Sequence, residues 1–265
     1  MHQTPHAPPP RKMEWKRAWT ALQKLIEDPE RTDQVFEIIR ALAGNSFEKS
    51  YQRFCASADG RWLLRERPSL LALLSDREGL RQMPDGSFGR VYLAFMESAQ
   101  LDAQGLVEAE AMATPNPEPA DPDREWFGDR IRDMHDLWHV LTGYGRDEAG
   151  EAANLAFTQG QIPNPGVALI LLAAIALGPK DLSLSWPRYL YRAWRRGRRA
   201  ALLTSVAYED LLPLPLKEVR TRLQIQPASQ AHPEGIIIAN RGDAEPFAVP
   251  PDSSTNDADD LRRAS

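Results

Sequence analysis

Met134-His135-Asp136-Leu137-Trp138-His139-Val140-Leu141-Thr142-Gly143-Tyr144-Gly145, with Glu151 following, is the stretch from which this chain is best read. It spells H-D-x-x-H-x11-E. His135 and His139 are four apart, so on a helix they stack on one face. At roughly 100° per residue, His135, Asp136 and His139 span an arc of about 100°. Gly143, Gly145 and Gly150 then interrupt the pattern. On one straight helix Glu151 would sit about 120° around from His139. A break at the glycines lets a second helix return its carboxylate to the imidazoles. Glu148 competes with Glu151 for that position. Gly143-Tyr144-Gly145 follows a helix and lacks a third glycine, so it reads as a helix end and hinge rather than a phosphate loop.

The helical reading extends outward from this stretch. Upstream, Asp121 and Asp123 open the helix that carries the histidines, after the loop Thr114-Pro115-Asn116-Pro117-Glu118-Pro119. Trp15, Trp19, Leu22 and Ile26 repeat as one face of a helix. Thr32 reads as an N-cap before Val35 and Phe36. Asn45 or Ser46 starts a helix with Phe47, Tyr51 and Phe54 on its inner face. Leu70 to Leu74 forms an apolar patch. Pro84-Asp85-Gly86-Ser87 is turn chemistry before a helix from Phe88 to Met96. Downstream, helices are expected over Pro165 to Leu177, Pro187 to Tyr208 and Leu216 to Leu223. No alternating strand pattern and no internal repeat is present. The fold class is all-α: a single multi-helix domain, a bundle or array, over residues 13–227. A disordered arm (residues 1–12) and a mostly disordered acidic tail (residues 228–265) flank it. One apolar island, Gly235-Ile236-Ile237-Ile238-Ala239, interrupts the tail.

Composition narrows the function. The 265 residues suffice for one full core. With Cys55 the only cysteine, an intrachain disulfide and a cysteine-based zinc site are excluded. The formal net charge is −5, of which the segment from Ala228 onward contributes −4, and the remainder is near neutral. The basic balance of a nucleic-acid binder is missing, so no nucleic-acid partner is expected. The longest apolar run, Val167 to Leu177, falls short of the roughly 20 residues a membrane span requires.

His135, Asp136, His139 and Glu151 combine imidazoles with carboxylates, a donor set that suits zinc, magnesium, manganese or iron. The related H-E-x-x-H pattern places a glutamate base between two histidines on one helical face. Here the shorter Asp136 stands in its place, which favours ligation or support of a ligand over base chemistry. The same residues also read as a solvated helix face on which Asp136 pairs with Arg132. Met134, Leu137, Trp138, Val140 and Leu141 weigh against that, because charges within an apolar helix are costly unless paired or metal-bound. A His-Asp phosphohydrolase would require a second His-Asp set, and the other histidines, His2, His6 and His232, fall in the expected tails.

A second feature is the cluster Arg188, Arg192, Arg195, Arg196, Arg198 and Arg199, interleaved with Trp186, Tyr189, Tyr191 and Trp194 and free of acidic residues. It reads either as a surface for an anionic membrane or phosphate, or as an ordinary solvated face. The helix from Val167 to Leu177 reads as core or as the lining of an apolar channel.

The stretch His135 to Gly143 with Glu151 resembles the Coq-four family of ubiquinone (coenzyme Q) biosynthesis. So does Met83-Pro84-Asp85-Gly86-Ser87-Phe88-Gly89-Arg90-Val91-Tyr92, with Met83 where the family has leucine. Ala193-Trp194 with Gly197, Tyr208 to Leu212, and Pro215-Leu216 with Arg220 and Ile225 resemble its closing helices. The match runs from about Trp15 to Ile225. The resemblance implies a helical, membrane-associated protein in which His135, Asp136, His139 and Glu151 hold a divalent metal and carry the chemistry. It implies that the carboxyl group of a polyprenylated 4-hydroxybenzoate-type ring is replaced by a hydroxyl. The alternative it implies is a non-catalytic, lipid-binding scaffold that organises the biosynthetic complex. The expected partners are the prenylated quinone precursor, other ubiquinone biosynthesis proteins and a second copy of the chain. No Arg-rich transit segment is recognised before the domain, so the expected place is bacterial cytoplasm, peripheral to the inner face of the cell membrane.

Overall fold

The computed structural model describes residues 12–28, 31–98, 105–113, 121–178 and 185–232. The expected arm and most of the expected tail, including the apolar island at 235–239, lie outside the described residues. In chain order the helices are α1 (Trp15–Glu27), α2 (Thr32–Ala41), α3 (Ser46–Ala56), α4 (Ala58–Glu66), α5 (Leu70–Ser75), α6 (Arg77–Gln82), α7 (Phe88–Ser98) and α8 (Gly105–Ala113). Then follow α9 (Pro122–Asp133), α10 (His135–Thr142), α11 (Glu148–Gln161), α12 (Pro165–Leu177), α13 (Ser185–Arg199), α14 (Tyr208–Leu211), α15 (Leu216–Arg222) and α16 (Ala228–Ala231). A 3-10 turn spans Leu203–Ser205. No strand forms among the described residues, and the all-α expectation holds; an isolated antiparallel bridge joins Ser87 to Pro215.

The main core lies between α7, α10, α11 and α13. Phe88, Tyr92, Phe95, Trp138, Phe157 and Tyr208 are buried there. Fully burying a large apolar side chain stabilises by roughly 1.5–3 kcal/mol, so this cluster dominates the packing. Trp138 is further fixed by donating from Nε1 to the Tyr208 hydroxyl at 2.9 Å, which donates on to Leu203 O. A second core gathers Phe47, Tyr51 and Phe54 of α3 around Phe127 of α9. A third joins Leu22 of α1, Ile38 of α2 and Ile170 of α12. The turn at Pro84 to Ser87 works as expected. Ser87 Oγ accepts from Arg90 N, and Phe88 and Gly89 donate their amides to Leu214 and Leu212. That clasp ties the start of α7 to the closing helices.

Several local readings change. Thr32 begins α2 as its first helical residue, and no side chain caps that end. Asp121 does cap a helix, accepting from Asp123 N and Arg124 N, but that helix is α9 and ends at Asp133. The histidines sit on their own helix, α10, after a break at Met134. The helix expected from Pro187 to Tyr208 stops at Arg199, and Tyr208 opens the separate α14. On α1 the apolar repeat is present, but all of it except Leu22 is turned outward. Trp15, Trp19 and Ile26 are exposed, while Ala18, Ala21 and Leu22 pack inward, because the small alanines let α1 lie close against α2. On α12, Val167 and Ile170 are buried, whereas Leu172, Ile175 and Leu177 face outward. The ordered chain runs past the expected boundary at 227: Ala228 and His232 are both buried against the domain.

Candidate metal centre

Two local devices build the site. The first is the end of α10. Gly143 takes φ +74°, a left-handed conformation open to glycine at little cost, and stops the helix. The last turn of a helix leaves carbonyls without internal partners. Here Arg220 donates to Val140 O and Leu141 O at 2.9 and 3.0 Å, and Arg196 donates to Thr142 O at 3.0 Å. Two cations thereby complement the negative end of α10. The second device is the start of α11. Asp147 caps it, accepting from Ala149 N and Gly150 N at 3.1 Å each. Gly150 lies so close to Gly145 that a Cβ there would stand 2.1 Å from Gly145 O. The chain therefore folds back within a few residues, and Glu151 faces α10.

The result is a three-residue cluster. One donor atom each from His135, His139 and Glu151 lie within 4.8 Å of one another. Glu151 Oε2 is 3.3 Å from His139 Nε2 and 3.9 Å from His135 Nε2. Each imidazole is held from behind. His139 Nδ1 lies 3.1 Å from Tyr144 O, and His135 Nδ1 lies 3.2 Å from Asp136 Oδ1. A carbonyl and a carboxylate only accept, so both rings carry their proton on Nδ1. When the rings are neutral, both Nε2 lone pairs then face the Glu151 carboxylate. His139 Nε2 is buried and makes no hydrogen bond. Two lone pairs and a carboxylate converging in this way repel one another unless a cation sits between them. The ligand types and the Nδ1 contacts are those of a metal-binding histidine pair. On this ground the residues fit a divalent metal.

Burial and charge act together on these groups. Burial lowers the proton affinity of His135, yet Asp136 and Glu151 outweigh it and raise the imidazole above its usual range. His135 keeps 37% of its side chain open, so solvent screens part of that attraction. Burial disfavours the charge on Asp136, but His135, then His139 and Arg146, hold it below the usual carboxylate range. Glu151 follows the same pattern: burial is overcome by His139, then His135 and Arg146.

Of the four residues singled out in the sequence, three converge. Asp136 lies beside the cluster, on the far side of the His135 ring. Glu148 is exposed and takes no part. The pairing of Asp136 with Arg132 is not formed, because Arg132 binds Glu110, Asp129 and Asp133. Sequence reading missed Phe95, whose ring stacks on His139 at 5.7 Å, and Arg146, which lies over Phe95 at 6.0 Å. It also missed Tyr144, which acts through a backbone carbonyl that no residue type announces. His232 was assigned to the tail; it is buried, and its Nε2 lies 2.9 Å from the Tyr144 hydroxyl. It remains outside the cluster of possible ligands.

An all-helical domain with a His-His-Glu cluster across a helix break defines a candidate metalloprotein. The sequence profile of the family described as "Coenzyme Q (ubiquinone) biosynthesis protein Coq4" matches residues 14–229, and the chain belongs to that family. It is similar to the mitochondrial ubiquinone biosynthesis protein COQ4 homolog of Danio rerio, at 31% identity over 76% of this chain and 72% of the relative. The homolog of Bos taurus is 28% identical over 76% of this chain and 73% of its own length. A crystal structure from Nostoc punctiforme, provisionally assigned as a ubiquinone biosynthesis protein, shares the fold. It has a TM-score of 0.59 and 22% identity, covering 80% of this chain and 98% of that one.

Proposed function

We propose that this protein is a metal-dependent enzyme of ubiquinone biosynthesis that replaces the carboxyl group of a polyprenylated 4-hydroxybenzoate-type ring with a hydroxyl. The observation that carries the reading is the convergence of His135, His139 and Glu151 within 4.8 Å across the helix break, in a chain of this family. In this reading His135, His139 and Glu151 hold the ion, and Asp136 fixes the ring orientation of His135. A divalent ion held by these three residues would supply Lewis acidity toward the ring carboxylate. The net change is a two-electron oxidation: the carboxyl group leaves as carbon dioxide, a water oxygen bonds to the ring carbon, and dioxygen takes up the two electrons and two protons as hydrogen peroxide. Phe95 stacks on His139, and Arg146, which lies over Phe95, adds positive charge that favours an anionic ring.

We further place the protein against a lipid surface. Trp15 and Trp19 on α1, and Leu172 and Leu177 on α12, are exposed on helices that share one small core. Trp186 at the start of α13 donates to Ala174 O of α12 at 2.9 Å, which joins the basic helix to this region. Arg188, Arg195, Arg198 and Arg199 are exposed along α13. Exposed tryptophans together with exposed arginines match the chemistry of an anionic leaflet. No helix among the described residues is long and apolar enough to cross a membrane.

The outward Leu172, Ile175 and Leu177 also favour a second reading, a scaffold that presents the prenylated intermediate while the metal only holds α10 to α11. One assay separates the two. Metal-loaded protein, given a prenylated 4-hydroxybenzoate and oxygen, is expected to release carbon dioxide and yield the hydroxylated ring. An unchanged ring would sink the enzymatic reading and leave the scaffold.

A further inference from the structure

The positive charge of α13 is arranged as a stripe. Arg188, Arg192, Arg195 and Arg199 follow the spacing i, i+4, i+7, i+11, so at roughly 100° per residue they fall within an arc of about 60°. Arg188, Arg195 and Arg199 are exposed, and Arg192 is half-buried. Like charges three and four residues apart on one helix face repel each other. No acidic residue lies on α13, and among the described residues no carboxylate forms an ion pair with any of the four. Arg195 lies over the Tyr191 ring, 5.9 Å away, a contact that leaves its charge in place. The stripe is therefore a line of positive charge that still lacks a counter-charge.

The chain itself holds a matching segment. Residues 243–260 carry six carboxylates (Asp243, Glu245, Asp252, Asp257, Asp259 and Asp260) and no lysine or arginine. They lie outside the described residues, but the point from which they depart is fixed. His232, the last described residue, is buried with its ring 4.6 Å from that of Tyr189, the α13 residue next to Arg188. Eleven residues lead from His232 to Asp243. Fully extended they span at most about 36–40 Å, whereas the fifteen residues of α13 are about 22 Å long. The whole stripe is within reach. A short tether also holds a segment at an effective concentration on the order of millimolar beside its target. Charge, reach and point of departure select this segment over a separate acidic protein, which would have to displace it. We propose that residues 243–260 fold back onto the arginine stripe of α13 as its counter-charge, so that an anionic leaflet must displace them before α13 can dock. The competition with lipid rests on the lipid-surface reading above; the fold-back itself does not.

The test compares the full wild-type chain with a full-length variant carrying Asp243→Asn, Glu245→Gln, Asp252→Asn, Asp257→Asn, Asp259→Asn and Asp260→Asn. The first readout is the rate at which phenylglyoxal modifies each arginine, followed by mass spectrometry, with Arg65 of α4 as internal reference. At low salt Arg188, Arg195 and Arg199 are expected to react about three-fold or more slowly in wild type than in the variant, and the difference should vanish in about 0.5 M salt. Equal rates at low salt overturn the fold-back, because a change in overall charge alone would move Arg65 equally. The second readout is sedimentation with phosphatidylcholine vesicles containing about 30% phosphatidylglycerol, to which the variant is expected to bind about ten-fold more tightly. Protected arginines with equal vesicle affinity overturn the competition. Protected arginines with no vesicle binding by either protein would instead defeat the lipid-surface reading and leave the fold-back standing.

Discussion

At the scale of single residues, the site depends on which nitrogen of each histidine is occupied. Asp136 carries a specific burden there, because its carboxylate both orients His135 and raises its basicity. Asp136→Asn keeps an acceptor but removes the charge. It is expected to fold normally and to weaken metal affinity by about ten-fold or more, read by titrating metal into the apo protein. Affinity equal to wild type would show that Asp136 has no hold on the site. The spacing of His135, Asp136 and His139 made their shared face legible in the sequence. The split between residues that meet Glu151 and the residue that stands behind was not legible. It depends on side-chain direction, and Asp and His occupy the same arc whether they bind an ion or each other.

At the scale of helices, α10 and α11 are short elements held in register by what surrounds their ends. The break at Gly143 to Gly150 was readable because glycines cluster there. The arginines that complete α10 were not, since Arg196 and Arg220 arrive from more than fifty residues away. Gly150→Ala is expected to push α11 away from Gly145 and displace Glu151. A loss of metal affinity larger than the loss of thermal stability would be its signature, and unchanged metal binding would contradict the described approach. The segment ending at His232 fastens Tyr144, whose carbonyl holds His139. Burial, then the charges of Arg196 and Arg192, push the His232 imidazole down to about 4; the Tyr144 and Tyr189 rings also face it, 5.8 and 4.6 Å away. The unfolded chain therefore binds this proton first. The stability due to neutral His232 is full above about pH 6.5 and is lost as pH falls toward 4, at most about 3 kcal/mol. The difference in midpoint between wild type and His232→Phe should shift between pH 7 and pH 5. Parallel curves would refute the assignment.

For the whole molecule, helical periodicity and the absence of alternating patterns made the all-α class legible, and turn chemistry placed the clasp before α7. Which apolar faces point inward was less legible. The face of Trp15 and Trp19 on α1 reads as core by period alone, yet close packing of Ala18 and Ala21 on α2 turns it outward. That outward face, with the arginines of α13, predicts binding to vesicles that contain anionic lipid and release by salt. Replacing Arg188, Arg195 and Arg199 with glutamate should abolish binding without lowering metal content, and retained binding would remove the membrane role from α13. All of these effects matter to function only if the centre between α10 and α11 holds an ion. Elemental analysis of the purified chain beside His139→Ala and Glu151→Gln tests this most directly. The account predicts about one divalent ion per wild-type chain and its loss from both folded variants. Wild-type protein with no more metal than the variants would contradict it.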